Sequence, residues 1–373
     1  MKHSQRTHLL CLIPSLAGGG AERVMTTLLR YFDRDCFRLT LAVVDARRNA
    51  LMEGVPEDVE FINLDSTRVR YAVHKIVRFA RRLKPDVIFS TLGHLNLALA
   101  SVRFLLPRGT SLIIRETTVV SKNLSGHMYR AAWHLAYRLL YPRVDLVVCQ
   151  SLAMKDDLVT NFGLSASNAA VIHNPLDVGQ IRKMAADPTV STGYRKHALN
   201  LVAAGRLSHE KGFDLLLSAL ALCKDLRFRL TVLGDGPLLT SLKAQASGLG
   251  LSGCVRFVGF QNNPYPYFAR ADAFVLSSRF EGFPNVVLEA LACGTPVIAT
   301  PAPGGLKEIA GMSGGLLVAS SITQNALAKA ISTFALNDRA VLGVPKLENW
   351  AAELIASQYE KVLLKPNCKE FTI

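Results

Sequence analysis

Residues 277–300, SSRFEGFPNVVLEALACGTPVIAT, decide the fold. The apolar run 273–276 ahead of them reads as a buried strand. Gly282 permits an unusual backbone turn. Pro284 suits the first helical position, where its missing N–H costs nothing. Residues 286–293 then read as a helix, Gly294 ends it, and 296–300 return as a second buried strand. The turn is expected to present free backbone N–H groups from Phe283, Asn285, Val286 and Val287, Pro284 having none, at a helix start that carries partial positive charge. Glu281 lies in the turn and Glu289 in the helix, with seven residues between them. A diphosphate at the amides, a sugar near Glu281 and a ribose near Glu289 would fit. Two solvated glutamates are the plainer alternative.

The E-G-F-P-N opening and the G-T-P-V-I-A strand lengthen the pattern. The segment resembles the donor-sugar loop of retaining glycosyltransferases of family four, which have the GT-B fold. That resemblance implies that Glu281 contacts donor-sugar hydroxyls and Glu289 the ribose.

Working outward, short apolar runs alternate with helical patterns almost from end to end. Residues 9–14, 39–44, 59–64, 86–90, 111–114, 145–149 and 170–172 read as strands. The pattern restarts at 200–204 and continues through 229–233, 255–258, 273–276, 296–300 and 315–318. This is the βαβ signature of doubly wound, mostly parallel sheets. The expected class is α/β, GT-B, with two Rossmann-like domains facing a central cleft. The boundary is placed in the polar stretch that includes Asn174, Pro175 and Pro188. Residues 1–175 would form an acceptor-binding domain, 176–198 a linker, and 199–345 a nucleotide-sugar domain. Residues 346–373 would carry a helix, over 348–364, crossing back to the first domain.

The first strand ends in P-S-L-A-G-G-G-A-E-R, residues 14–23. Glycines before a helix let the backbone approach a phosphate. The run is not G-x-G-x-x-G, so a dinucleotide is not indicated. It resembles the G-G-x-E-R loop of the same family, which implies donor binding through Gly19 and Gly20. Glu22 is read only as favouring the helix N-terminus. His94 follows the strand D-V-I-F-S-T, and the resemblance implies a place near the donor sugar. Arg115 and Glu116, in I-I-R-E-T-T, either hold the acceptor or pair with each other. Arg206 and Lys211, in G-R-L-S-H-E-K-G, are two cations able to clamp a diphosphate and stabilise the charge that develops as it leaves. In the family such a pair binds the donor diphosphate. L-G-D-G-P, with Gly234, and V-G-F, with Phe260, resemble loops near the nucleotide.

Composition sets bounds. The chain has 373 residues, half of them apolar, and a net charge of +14. Residues 1–190 carry 25 Lys and Arg against 16 Asp and Glu; the remainder carries 18 against 13. Anionic partners follow. No run is long and apolar enough to span a bilayer. Lys2, Arg6 and the apolar run 9–16 resemble a weak signal peptide but read better as a first buried strand. Seven scattered cysteines without C-x-x-C argue for reduced thiols, with Cys11, Cys149 and Cys293 in the core. No zinc-ligand spacing is present.

Residues 68–84 form a sharply amphipathic pattern. Arg70, His74, Lys75, Arg78, Arg81 and Arg82 share its basic face, which is either solvated or docked on anionic lipid. Tyr129, Trp133, Tyr137 and Tyr141 recur at helical spacing, as core or as a place for a polyprenyl chain.

The expected activity is metal-independent, retaining transfer of a hexose or N-acetylhexosamine from a nucleotide sugar, with UDP as the expected nucleotide. The acceptor would be a lipid-linked oligosaccharide or polysaccharide precursor at the inner face of the cytoplasmic membrane. No cofactor beyond the nucleotide-sugar co-substrate is expected. A nucleotide-sugar epimerase of similar layout, a binding-only homologue and a basic nucleic-acid-binding protein are the rivals. Against the last, no nucleic-acid module is present.

Overall fold

The computed structural model describes residues 6–47, 49–126, 128–336 and 342–364. Lys2 and residues 365–373 lie outside the described part. The chain divides into two compact units, Met1–Pro175 with Trp350–Ile373, and Leu176–Asn349.

In unit 1 the strands are β1 (Thr7–Ser15), β2 (Phe37–Asp45), β3 (Glu60–Asn63), β4 (Val87–Thr91), β5 (Ser111–Arg115), β6 (Leu146–Cys149) and β7 (Ala169–Val171). They form one sheet in the order β3-β2-β1-β4-β5-β6-β7. Pairing is parallel, with Leu9 of β1 beside Leu39 of β2 and Val87 of β4. The unit's helices are α1 (Gly20–Tyr31), α2 (Val69–Leu83), α3 (Gly93–Ser101), α4 (Val120–Leu124), α5 (Arg130–Leu140) and α6 (Leu152–Phe162).

Both faces of this sheet are covered, so its strands are apolar on both sides. One core joins Leu10, Leu12, Ile88 and Ile114 to Ile76 of α2, Leu99 of α3, Tyr137 of α5 and Leu158 of α6. The other joins Leu9, Cys11, Ile13 and Phe89 to Leu28 of α1 and to Tyr359, Val362 and Leu363.

Unit 2 contains β8 (Leu199–Ala204), β9 (Phe228–Leu233), β10 (Val255–Gly259), β11 (Ala273–Leu276), β12 (Val297–Ala299) and β13 (Leu316–Val318). Their order is β10-β9-β8-β11-β12-β13, again parallel throughout. Its helices are α7 (Val178–Ala185), α8 (Phe213–Leu222), α9 (Leu239–Gly248), α10 (Tyr265–Ala269), α11 (Asn285–Ala292), α12 (Leu306–Met312) and α13 (Gln324–Leu336). The chain then returns to unit 1 as α14 (Ala352–Leu364).

Three expectations change. The stretch 176–198 is partly helical. Ile181 and Ala185, one turn apart on α7, are buried, and Arg182 Nε donates to the Ala292 carbonyl at 3.2 Å. Cys11 and Cys149 are fully buried, but Cys293 is only partly so. The aromatic stripe splits: Tyr137 and Tyr141 are core, while Tyr129 and Trp133 are 68% and 41% exposed. The stripe's spacing drifts around the helix, so one side cannot bury all four rings. Among the described residues no helix is long and apolar enough to cross a membrane.

Candidate functional site

In each sheet strand order reverses once, between β1 and β4 in unit 1 and between β8 and β11 in unit 2. Loops leaving the carboxyl ends of such neighbours diverge to opposite faces and leave a crevice, where ligands bind in open α/β sheets.

At unit 2's reversal the loop after β8 carries Arg206 and Lys211, and the loop after β11 carries Glu281. The two loops are stitched together. Ser277 Oγ donates to the Lys211 carbonyl at 2.9 Å, and the Arg279 amide to the Glu210 carbonyl at 2.7 Å. The Arg279 guanidinium grips both Asp214 oxygens, at 2.7 and 2.6 Å, and also the His209 carbonyl. That bidentate pair holds the Asp214 carboxyl below the usual carboxylate range, chiefly through its hydrogen bonds from Arg279.

Across this seam Lys211 Nζ donates to both Glu281 oxygens, at 2.7 and 2.9 Å. Ser278 Oγ donates to Glu281 Oε1 at 2.6 Å. The Glu281 side chain is only 7% exposed. No local pattern signals this pairing, because the partners are 70 residues apart. Arg206 differs: it is exposed, and among the described residues its guanidinium has no hydrogen bond or ion pair.

The segment after β12 completes the support, and sequence reading passed over it. The Glu281 amide donates to the Pro303 carbonyl at 2.9 Å, and the Gly305 amide to the Gly282 carbonyl at 2.9 Å. Gly304 has φ of +123°, and a Cβ there would overlap the Glu281 carbonyl. The signal available was the P-A-P-G-G run directly after a buried strand. Similarly, Gly234 after β9 lies so close to the Gly205 carbonyl that no side chain fits. Phe260, just after β10, is 50% exposed.

The start of α11 departs from expectation. Pro284 is the residue before the helix, with ψ of +81°, not its first helical residue. Its carbonyl then accepts from the Val287 amide at 2.9 Å, and the Phe283 carbonyl accepts from Asn285 at 3.0 Å. These two amides are therefore committed within the turn. Phe283 is buried, its ring close against Gly305, while Val286 and Glu289 are half-buried.

Unit 1's reversal brings the Gly19–Gly20 turn and His94 to the ends of β1 and β4. Glu22 does more than favour a helix start. It is 8% exposed, accepts from Ser15 Oγ at 3.0 Å, and leaves no room for a Cβ on Gly19. Leu92, before His94, has φ of +79°. A non-glycine residue there is strained, and strain of this kind is held in place by its surroundings. His94 remains partly exposed, yet desolvation of its ring lowers its pKa below the ordinary imidazole value.

Arg115 and Glu116 do not face solvent; each is 1% exposed. The Arg115 guanidinium donates to Tyr359 Oη at 3.2 Å, to Thr91 Oγ1 at 3.1 Å and to Asn174 Oδ1. Glu116 accepts from Tyr141 Oη at 2.5 Å and the Thr117 amide at 2.8 Å, and burial raises its pKa. No salt bridge joins the two. The hydrogen bonds of both side chains lie within unit 1, so in this conformation both face the interior rather than solvent. They brace the loops above, where Gly93 sits against Tyr137 Oη and the Glu116 carboxylate.

Both units are similar to known proteins. The description "Glycosyltransferase Family 4" matches residues 18–180, and "Glycosyl transferases group 1" matches residues 192–353. The chain is 29% identical over 339 residues to the N-acetylgalactosamine-N,N'-diacetylbacillosaminyl-diphospho-undecaprenol 4-alpha-N-acetylgalactosaminyltransferase of Campylobacter jejuni, covering 88% of this chain and 90% of that one. It is 29% identical over 296 residues to the lipopolysaccharide core biosynthesis glycosyltransferase LpsE of Rhizobium meliloti, covering 77% of each. Its fold matches the crystal structure of Anabaena HepE in complex with UDP and glucose, with TM-score 0.76, 22% identity, and coverage of 95% of this chain and 99% of that one. The chain belongs to the group 1 glycosyltransferases of family four, and its fold is GT-B.

Proposed function

We propose that this glycosyltransferase moves a hexose or N-acetylhexosamine from a UDP-linked donor to a lipid-linked oligosaccharide or polysaccharide precursor, with retention at the anomeric carbon. The Campylobacter relative acts on a diphospho-undecaprenol-linked saccharide, and the HepE structure holds UDP and glucose. Both support the donor and acceptor classes. The observation that carries the reading is the Lys211–Glu281 pair at unit 2's strand reversal, beside unpartnered Arg206.

In the proposed reaction the anomeric C–O bond to the diphosphate breaks, and a new C–O bond forms to the acceptor oxygen on the same face. The acceptor proton passes to the departing phosphate. Arg206 and Lys211 stabilise the charge gathering on that phosphate. An ammonium has three donors, so Lys211 can hold both Glu281 oxygens and keep one N–H for phosphate. Glu281 and His94 orient the sugar. Gly19, Gly20, Gly234, Phe260 and the 283–287 turn are assigned to the donor, and Glu289 to its ribose. Arg115 and Glu116 act behind the acceptor loops. The exposed arginines of α2 are assigned to an anionic membrane surface, on the cytoplasmic side where nucleotide sugars are available.

A panel of nucleotide sugars with an undecaprenyl-diphosphate-linked acceptor tests this, with products read by mass spectrometry and anomeric NMR. One donor should give an α-linked product from an α-linked donor, undiminished by EDTA. Inversion, epimerised donor without transfer, or activity restored to the EDTA-treated enzyme only by Mg²⁺ or Mn²⁺ would each overturn the corresponding part.

A further inference from the structure

Helix α3 buries Leu95, Asn96, Leu97, Leu99 and Ala100, and Asn96 alone among them is polar. It is fully buried. A buried amide is costly unless its donor and acceptor are both met. Here both are. Asn96 Oδ1 accepts from Ser90 Oγ at 2.6 Å, and Asn96 Nδ2 donates to the Arg115 carbonyl at 2.9 Å. The side chain therefore ties the first turn of α3 to the ends of β4 and β5. Apolar side chains would serve packing as well, so the amide is explained by what it ties together.

Between the tied points lies a strained turn. Ser90 and Thr91 end β4, and His94 is the second residue of α3. Leu92 between them has φ of +79° and ψ of +123°. A bulky side chain enters such a conformation only where its surroundings overdetermine it, and residues of this kind cluster at functional sites. The surroundings are fixed on each side. Before Leu92, Ser90 is held by Asn96, and Thr91 Oγ1 accepts from Arg115 Nη1 at 3.1 Å. After it, the Leu92 carbonyl accepts from the Leu95 and Asn96 amides, both at 3.0 Å. From the side, Gly93 lies so close to Tyr137 Oη that a Cβ would overlap it. Tyr137 is 6% exposed, and its ring lies 4.7 Å from that of Tyr141, whose hydroxyl donates to Glu116. His94 is exposed, so its ring stands on a turn whose supports are buried.

We propose that Asn96 and Tyr137 are positioning residues for His94. Asn96 fixes the turn along the chain and Tyr137 fixes it from the side, so the imidazole is presented in one direction. The proposal rests on the reading above that His94 orients the donor sugar. Orientation is where small displacements count, because a shift of about 1 Å in a positioning group can cost about 10²-fold in rate. Neither Asn96 nor Tyr137 is assigned to touch substrate; each acts through His94.

Conservative variants test this in the full chain. Asn96→Asp keeps the oxygen that faces Ser90 and loses the N–H that holds the Arg115 carbonyl. Ser90→Ala frees the same amide from its other end with less risk to folding. Tyr137→Phe keeps the ring and loses only the hydroxyl against Gly93. Circular dichroism first checks that each is folded. With ¹⁵N-labelled histidine, the ring signals of His94, assigned by their loss in His94→Ala, should shift in each variant. Those of His197 and His209, in unit 2, should not. Each variant should lower kcat by about tenfold to 10²-fold, with KM for donor within about threefold of wild type. In the His94→Ala background none should lower kcat further, because a residue that acts only through His94 has nothing left to place.

Unmoved His94 signals in the folded variants overturn the proposal, whatever the activity. So does a full additional loss of kcat in the His94→Ala background, which is what a general loosening of unit 1 would give. If His94→Ala transfers sugar at the wild-type rate, the reading of His94 itself fails and the proposal falls with it. That outcome is separate from the other two, because it is seen without any positioning variant.

Discussion

At the residue scale, Lys211 and Arg206 differ in what holds them. Lys211 compensates a nearly buried carboxylate, so removing it leaves Glu281 with a charge and only Ser278 Oγ to stabilise it. Breaking one side of a buried pair is costly, whereas an exposed cation without partners contributes little to stability. Lys211→Ala should therefore lower both turnover and stability. About 10²–10³-fold in kcat is expected from the lost donor to developing charge, with a loss of about 1–3 kcal/mol because Lys211 itself is partly solvated. Arg206→Ala should lower kcat by a similar factor at nearly unchanged stability. Parallel kinetics and denaturant titration check this. Equal stability of the two variants would mean that the Lys211–Glu281 pair does not hold the loop in solution.

At the element scale, the Glu281 turn is set by the segment after β12. Gly304 adopts a conformation that side chains rarely enter, and it does so against the Glu281 carbonyl. Gly304→Ala should cost about 1–3 kcal/mol and raise KM for donor more than it lowers kcat, since the turn is displaced with its chemistry intact. An unchanged KM would remove this segment from the donor site.

Elements and contacts differ in how far they can be read from sequence. Among the described residues the thirteen strands fall near the expected runs, because doubly covered parallel strands are continuous apolar stretches bounded by turn residues. The turn before α1 announces itself through its glycine run, in which Gly18 has a φ of +103°. Contacts made by topology leave no such trace. Asp214 and Arg279 are 65 residues apart, and only strand order makes them neighbours. Arg115 looks like a residue facing out of a strand end. Its partners Thr91, Asn174 and Tyr359 come from three distant segments, and no local pattern shows that they surround it. Pro284 was misplaced by one position because its ring suits both the helix start and the residue before it.

At the scale of the molecule, the chain leaves unit 1 after Pro175 and returns at Trp350. The return is structural to unit 1: Ile355, Ala356, Tyr359, Val362 and Leu363 of α14 are at most 1% exposed. The Tyr359 ring lies 5.6 Å from that of Phe89, and its hydroxyl accepts from buried Arg115 Nε. Tyr359→Phe keeps the packing and removes only that acceptor. A buried guanidinium N–H left unsatisfied costs about 1–3 kcal/mol or more. The cost should fall on unit 1 alone, because Arg115's other partners, Thr91 and Asn174, also belong to it. Hydrogen exchange followed by mass spectrometry should show faster exchange in β4, β5 and α14 of the variant and unchanged protection in β8, β9 and β11. Protection lost equally from both sheets would show that the two units do not hold their stability separately, and that Tyr359 supports the whole chain rather than one half of it.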